Sequence, residues 1–358
     1  MELKPQQGGG NPAVNSPATG NPTGSPIDVS VVIATASRAV LLRGALESIM
    51  PQAETMGRTE FVIVDDGSND STPMVLEEIK RKSKVPFKIV QGARAGVAAA
   101  RNLGAKNASG KWMASFDDDQ LALPGWLQNL VELGEAKQAA CVGGELALSL
   151  PEGARLDALG LRVRRLLGEH ILGDEPQQYP PAIKPATNNA LIRRDVFLQV
   201  GGYDESFREG AEDKNLFQKI EAAGHVLWFQ PKAKALHLIP PRRLQRDMLR
   251  WTALRLGSSD VRAAQAYRPY IEPAKIMVKR VLVTLMRDLP SLMKAKLRGK
   301  KGDDRELMET WCSVWYTEGF ARSLWGVLIA GGGSGFLDAM DFRNRNGERS
   351  GVRKAARG

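Results

Sequence analysis

The chain has 358 residues, 43% of them hydrophobic and 25% charged, which is enough apolar material for a large buried core in an ordinary globular protein. Two cysteines, Cys141 and Cys312, lie far apart in no metal or redox spacing, so a disulfide framework and a thiolate zinc site are excluded and a reducing compartment is expected. The net charge of +10 is uneven: from Pro241 onward there are 24 Lys+Arg against 12 Asp+Glu, so the basic character belongs to the C-terminal third and suits an anionic surface or a solvated face.

Residues 1–27 are rich in Gly, Pro, Asn, Ser and Thr without an apolar run, and read as a disordered leader rather than a signal peptide. From Asp28 short apolar runs alternate with helical patterns. Val29 to Ile33 is a β-branched strand, and Ser37 is expected to cap a helix reaching about Met50. Phe61 to Val64 is a second strand, and Thr72-Pro73 gives a helix start. Phe87 to Val90 is a third strand, Ala95 to Ala108 an alanine-rich helix, and Trp112 to Phe116 a fourth strand. This rhythm predicts an α/β fold whose mixed, mainly parallel sheet is flanked by helices.

Further strands are expected at 140–142, 190–192 and 226–229, with an irregular loop over the site at 150–185. His170, inside that loop, reads as a surface residue, and His225 as a structural turn residue. The expected organisation is a leader at 1–27, a catalytic-type domain at 28–240, a basic amphipathic helical region at 241–337 and a flexible basic tail at 338–358. No run of 18 apolar residues occurs, so no membrane span is expected.

In open α/β sheets, ligands bind beyond the carboxyl ends of the strands. Those positions carry Asp65-Asp66-Gly67-Ser68 after the second strand and Asp117-Asp118-Asp119 after the fourth. Three adjacent carboxylates repel one another unless a cation compensates them. Oxygen ligands suit a hard ion such as Mg²⁺ or Mn²⁺ held together with substrate phosphates. Asp117 and Asp119 share a side if the segment stays extended; a solvated acidic turn is the plain alternative. Asp70, Ser71 and Thr72 are explained by turn and cap chemistry. Glu212-Asp213 has the bland reading of an acidic pair at a helix N-terminus. Arg101 has two readings, a contact to the donor or a structural pair with a rim carboxylate.

Val31-Val32-Ile33-Ala34-Thr35, Val64-Asp65-Asp66-Gly67-Ser68, Ala100-Arg101-Asn102, Phe116-Asp117-Asp118-Asp119 and Gly210-Ala211-Glu212-Asp213 occur in that order. Together they resemble the family 2 glycosyltransferases over about Asp28 to His237. The resemblance implies a GT-A fold and transfer of a sugar from a nucleoside-diphosphate-sugar (UDP-, GDP- or dTDP-linked) to an acceptor hydroxyl, with inversion. It implies that Thr35, Asp65 and Asp66 hold the nucleobase side of the donor, together with Arg101. Asp117 and Asp118 would reach the ribose, while Asp117, Asp119 and His237 would serve Mn²⁺ or Mg²⁺. It makes Asp213 the catalytic base with Glu212 beside it. Asn188 to Arg194 and Gly201 to Glu205 resemble the segment between donor and acceptor. The first motif departs from the family, reading Ala34-Thr35-Ala36-Ser37.

Beyond Pro241, Val278, Leu282, Leu285, Leu289 and Leu292 fall near one helical face, with Pro290 expected to kink the helix. That region either lies in a membrane interface or packs on the domain. The expected acceptor is a sugar or lipid-linked molecule of cell-envelope polysaccharide or glycolipid synthesis. The expected location is cytoplasmic, with peripheral attachment to the cytoplasmic face open, and no nucleic-acid partner is expected because the rim is acidic. The alternatives are a sugar-nucleotide nucleotidyltransferase and a non-catalytic binding protein.

Overall fold

The computed structural model describes residues 27–207, 210–267, 271–299 and 304–330. The leader expected at 1–27 and the tail at 338–358 therefore fall outside the described residues, except for Ile27. A nine-stranded sheet forms the centre, with β1 (Val29–Thr35), β2 (Thr59–Asp65), β3 (Phe87–Gln91) and β4 (Trp112–Asp117) as its first half. These four run parallel in the order β3-β2-β1-β4, with Thr35 opposite Asp65 and Ala34 opposite Asp117. All the carboxyl ends therefore open on one rim.

The second half contains β5 (Gln120–Ala122), β6 (Cys141–Ser149), β7 (Gln177–Gln178), β8 (Asn189–Arg193) and β9 (Leu227–Leu238). Here β8 runs antiparallel between β4 and β6, β6 and β9 are parallel, and β5 and β7 pair antiparallel with β9. The parallel character is thus concentrated in the first half.

Side-chain alternation along β1 divides the core. Val29, Val31 and Ile33 face one layer with α1 (Ala39–Met56), α2 (Thr72–Lys82) and α4 (Trp126–Ala136). Val32, Val62 and Met113 face the other, with α3 (Val97–Asn107), α6 (Arg194–Gln199) and α7 (Glu212–Ala222). The alanine-rich α3 lies close to the sheet because its residues are small. A Cβ on Gly104 would stand 2.5 Å from Val32 Cγ1.

Three local expectations are corrected. Ser37 does not cap α1: it has φ 57, and Arg38 holds the cap position. The free amides are instead met by the next loop, with Arg38 N–H donating to Thr72 Oγ1 and Ala39 N–H to Asp70 Oδ2. The cap of α2 is Ser71 rather than Thr72, whose amide donates to Asp70 Oδ1. His170 is not a surface residue: it bridges to Leu146, bonds Tyr179 Oη at 2.9 Å and stacks against that ring. Its segment is also less irregular than expected, holding α5 (Leu161–Leu166) and β7.

After β9 the chain turns helical as α8 (Arg246–Tyr267), α9 (Ile271–Val283), a π turn at Thr284–Asp288, α10 (Leu289–Leu297) and α11 (Arg305–Ala330). α8 and α11 cross with backbones nearly touching. A Cβ on Gly257 would meet the Tyr316 carbonyl oxygen at 2.1 Å, and one on Gly319 the Leu254 oxygen at 2.1 Å. Leu249, Ala253, Cys312 and Trp315 join Leu148, Val163 and Ile239 in a third apolar cluster. The helical region is therefore packed on the sheet domain. Among the described residues no helix is long and apolar enough to cross a membrane. Both cysteines are buried and free, and burial raises both thiols, Cys312 to about 12, which leaves them inert.

Candidate functional site

Strand β4 ends at Asp117, and Asp118-Asp119 form a turn before β5. The extended geometry that would align Asp117 with Asp119 as joint metal ligands is therefore absent: Asp117 turns to Arg101, while Asp118 and Asp119 share Arg38. Asp117 accepts from Arg101 Nη2 at 2.8 Å. Asp118 is buried and accepts from Thr35 Oγ1 at 2.7 Å and from Arg38 Nη1 at 2.9 Å. Asp119 Oδ2 receives the same Arg38 Nη1 at 3.1 Å and stands 3.7 Å from His237 Nε2. Burial outweighs Arg38 and Thr35 at Asp118 and pushes its carboxyl up to about 6. At Asp119 burial acts in the same sense, but His237, Arg38 and Arg243 prevail and hold it at about 2.

His237 reaches this edge because β9 pairs with β5, Gln120 lying opposite His237, while the Leu238 amide donates to the Asp119 carbonyl. Arg243 Nη1 lies 3.3 Å from His237 Nε2. Gly168 packs against the other side of the ring, where a Cβ would stand 3.0 Å from Nδ1. Asp119 Oδ1 and His237 Nδ1 are both buried without a hydrogen-bond partner.

Arg101 joins two of the sequence motifs. It projects from α3, is buried, pairs Asp117 at 2.8 Å and Glu212 at 3.1 Å, and lies over the Tyr203 ring at 5.8 Å. The next residue, Asn102, accepts from the Tyr203 amide and donates to the Tyr203 carbonyl and to Glu205, each at 2.9 Å. Of the two readings of Arg101, these contacts favour the structural one. Glu212 and Asp213 begin α7 after Ala211, which sits at φ 74. Burial raises both carboxyls: Asp213 raises Glu212 further, while the Lys214 amide and Arg101 pull Asp213 down without cancelling its shift.

Asp65 and Asp66 part company. Asp65 is buried at the end of β2, and its Oδ1 accepts the Ser68 amide at 2.8 Å, an Asx turn. Asp66 is partly exposed at the mouth between β2 and β3, with the Gly96 amide 3.4 Å from Oδ2. Thr35, Asp118, Arg38, Asp119 and His237 thus form one network of polar contacts on the rim, and Asp117, Arg101 and Glu212 a second one beside it. Asp66 stands beside Thr35, whose carbonyl accepts its amide at 2.8 Å. Sequence reasoning missed Arg38 and Arg243. The signal for Arg38 was the acid triplet itself, which needs a cation from somewhere, but only folding brings one 80 residues away.

Residues 30–200 match the family model described as Glycosyl transferase family 2. The chain is 28% identical over 221 residues to a validoxylamine A glucosyltransferase of Streptomyces hygroscopicus subsp. jinggangensis, covering 55% of this chain and 52% of that one. It is 30% identical over 226 residues to the succinoglycan biosynthesis protein ExoO of Rhizobium meliloti, covering 59% of this chain and 61% of the relative. The chain thus spans little more than half the length of these curated relatives. Among solved structures, the mannosyltransferase PcManGT of Pyrobaculum calidifontis in complex with GDP-Man and Mn²⁺ superposes with a TM-score of 0.52 at 19% identity, over 87% of this chain and 78% of that one. That likeness shows a shared fold, the GT-A fold.

Proposed function

With residues 30–200 a family 2 glycosyltransferase domain, we propose that this chain transfers a sugar from a nucleoside-diphosphate-sugar to an acceptor hydroxyl with inversion. The observation that carries the proposal is the joint at Arg101. It links the acidic turn at the end of β4 to the Glu212-Asp213 helix start, so the donor side and the candidate base flank one place.

Thr35 and Asp66 are assigned to the nucleobase side, where Asp66 has carboxylate oxygen within reach of the mouth. Asp65 shapes the turn beneath it. A divalent ion would fit Asp119, whose Oδ1 is buried without a partner, with His237 Nε2 3.7 Å from its Oδ2, provided Arg243, 3.3 Å from that nitrogen, gives way to it. Among the described residues no three His, Cys, Asp or Glu side chains converge on one point, so an ion here would need diphosphate oxygens for its remaining ligands. When bound, such an ion neutralises the diphosphate and stabilises it as a leaving group.

Asp213 takes the proton from the acceptor hydroxyl as that oxygen bonds to the anomeric carbon and the bond to the phosphate oxygen breaks. Its raised carboxyl is the basicity such a transfer needs. Glu212, held by Arg101, positions it. A single base and direct displacement invert the anomeric centre. The relative from succinoglycan biosynthesis supports a saccharide as acceptor.

A thermal-shift screen of nucleotide-sugars with and without Mn²⁺ tests the reading. One donor should raise the melting temperature only with the ion and should then release its nucleoside diphosphate slowly in water. A chain that responds to no nucleotide-sugar is not this enzyme.

A further inference from the structure

α9 and α10 are packed with their polarity reversed. The face turned toward α11 is polar: Arg280 donates to the Ser313 carbonyl at 2.9 Å and to the Ser313 and Thr317 hydroxyls at 2.8 Å. Ser313 Oγ donates to the buried Asp288 at 2.6 Å, and Arg287 pairs with the same carboxylate. The apolar residues point outward instead. Val278 is 60% exposed, Leu282 51%, Leu285 57%, Met286 78%, Met293 67% and Leu297 87%. With Leu289, 41% exposed, Val278, Leu282, Leu285, Met293 and Leu297 follow in steps of three and four across α9, the π turn and α10, and Met286 lies beside Leu285, so they form one stripe. Sequence periodicity left open whether this stripe packs on the domain, and the structure puts the other face there. A continuous apolar stripe of this length on a surface marks a site that something covers.

Charge selects the covering. Residues 271–299 hold seven Lys and Arg against two Asp and Glu, and one of the two acids, Asp288, is buried. Lys275, Lys279, Lys294, Lys296 and Arg298 are exposed beside the stripe. A second copy of the chain would bring two rims of the same sign together. Residues 331–358, with six basic against three acidic residues, carry the same sign again. An anionic lipid surface supplies both complements, acyl chains for the stripe and phosphates for the lysines.

We propose that α9–α10 docks the protein on an anionic bilayer, with Val278, Leu282, Leu285, Met286, Met293 and Leu297 inserted below the headgroups and the lysines at phosphate level. The helices lie in the interface rather than cross it. The proposal goes beyond sugar transfer and requires no donor, ion or acceptor.

The full chain is sedimented with vesicles of phosphatidylcholine alone and of phosphatidylcholine with phosphatidylglycerol. The expected result is binding to the second only, weakened by salt. Lys279→Gln should weaken it about fivefold, and Leu285→Asp with Met293→Asp should return the protein to the supernatant at an unchanged melting temperature. Met286→Asp alone, at the second most exposed of the six positions, serves if that pair lowers folding. Wild-type protein left in the supernatant, or aspartate variants that still pellet, overturns the proposal. So does light scattering that shows a dimer dissolved by the same variants and insensitive to lipid. The donor-induced thermal shift of each variant reports on the catalytic reading separately, and is expected to match the wild type.

Discussion

The rim of the parallel half-sheet and the outer surface of α9–α10 handle polarity in opposite ways. At the rim, carboxylates are drawn inside and compensated one by one: Asp117 by Arg101, Asp118 by Thr35 and Arg38, Asp119 by Arg38 with His237 close by. On α9–α10 Arg280 and the neighbouring Asp288 also turn inward, but the apolar residues are left facing out beside exposed lysines. The same preference for satisfied buried polar groups builds a chemical site in one place and an unfinished surface in the other. Burial follows what lies across the interface, and not hydropathy alone.

The sharpest way to break the comparison is to remove a rim acid that the rest of the fold can spare. Asp119→Ala should abolish the Mn²⁺-dependent part of any donor-induced thermal shift, and with it turnover, while the protein remains folded. A variant that keeps the Mn²⁺ response would show that the ion sits elsewhere.

Next in size, Asp213→Asn should cut kcat by roughly 10²–10⁴-fold, the usual worth of a positioned base, and leave the donor thermal shift in place. Normal transfer by this variant would remove the base assignment.

In the helical region the corresponding weak point is steric. Gly257→Ala places a methyl group at the Tyr316 carbonyl and should cost about 1–3 kcal/mol of stability, read in chemical denaturation. Unchanged stability would mean that α8 and α11 have room to part.

The smallest effect concerns His170. Burial, with Arg165 nearby, lowers its pKa from 6.5 to about 4. The folded ring resists protonation, so its contribution is complete above pH 6.5 and is lost as pH falls from 6.5 toward 4. Melting temperature measured against pH should decline in that window, and His170→Gln should flatten the decline. Parallel curves for the two proteins would mean that the ring titrates freely.

The parallel half was legible in the sequence because strand and helix periods alternate cleanly there and the acids follow the strands. What was not legible depends on partners far along the chain. Ser37 looked like a cap, yet the amides of Arg38 and Ala39 are met by Thr72 and Asp70. His170 sits in a Pro- and Gly-containing stretch and reads as surface, but a single bridge to Leu146 carries it into the aromatic pocket of Tyr179 and Phe229. Arg38 follows the least typical motif, and nothing local announces its contact with Asp118 and Asp119. In α9–α10 the period picked out Val278, Leu282, Leu285 and Leu289, which are exposed, but also Leu292, which is half-buried, and passed over Met293 and Leu297. It carried no information on which side of the helix the protein lies, because Arg280, Thr284 and Asp288 form an equally regular polar stripe opposite.

Arg38 has one further consequence. Most acidic clusters that serve divalent ions are strained until the ion arrives, which makes folding hostage to supply. Here a guanidinium on the protein's own chain already stands between Asp118 and Asp119. The positive charge that two adjacent, largely buried carboxylates call for is thus supplied by the chain itself, so their compensation does not depend on a metal ion.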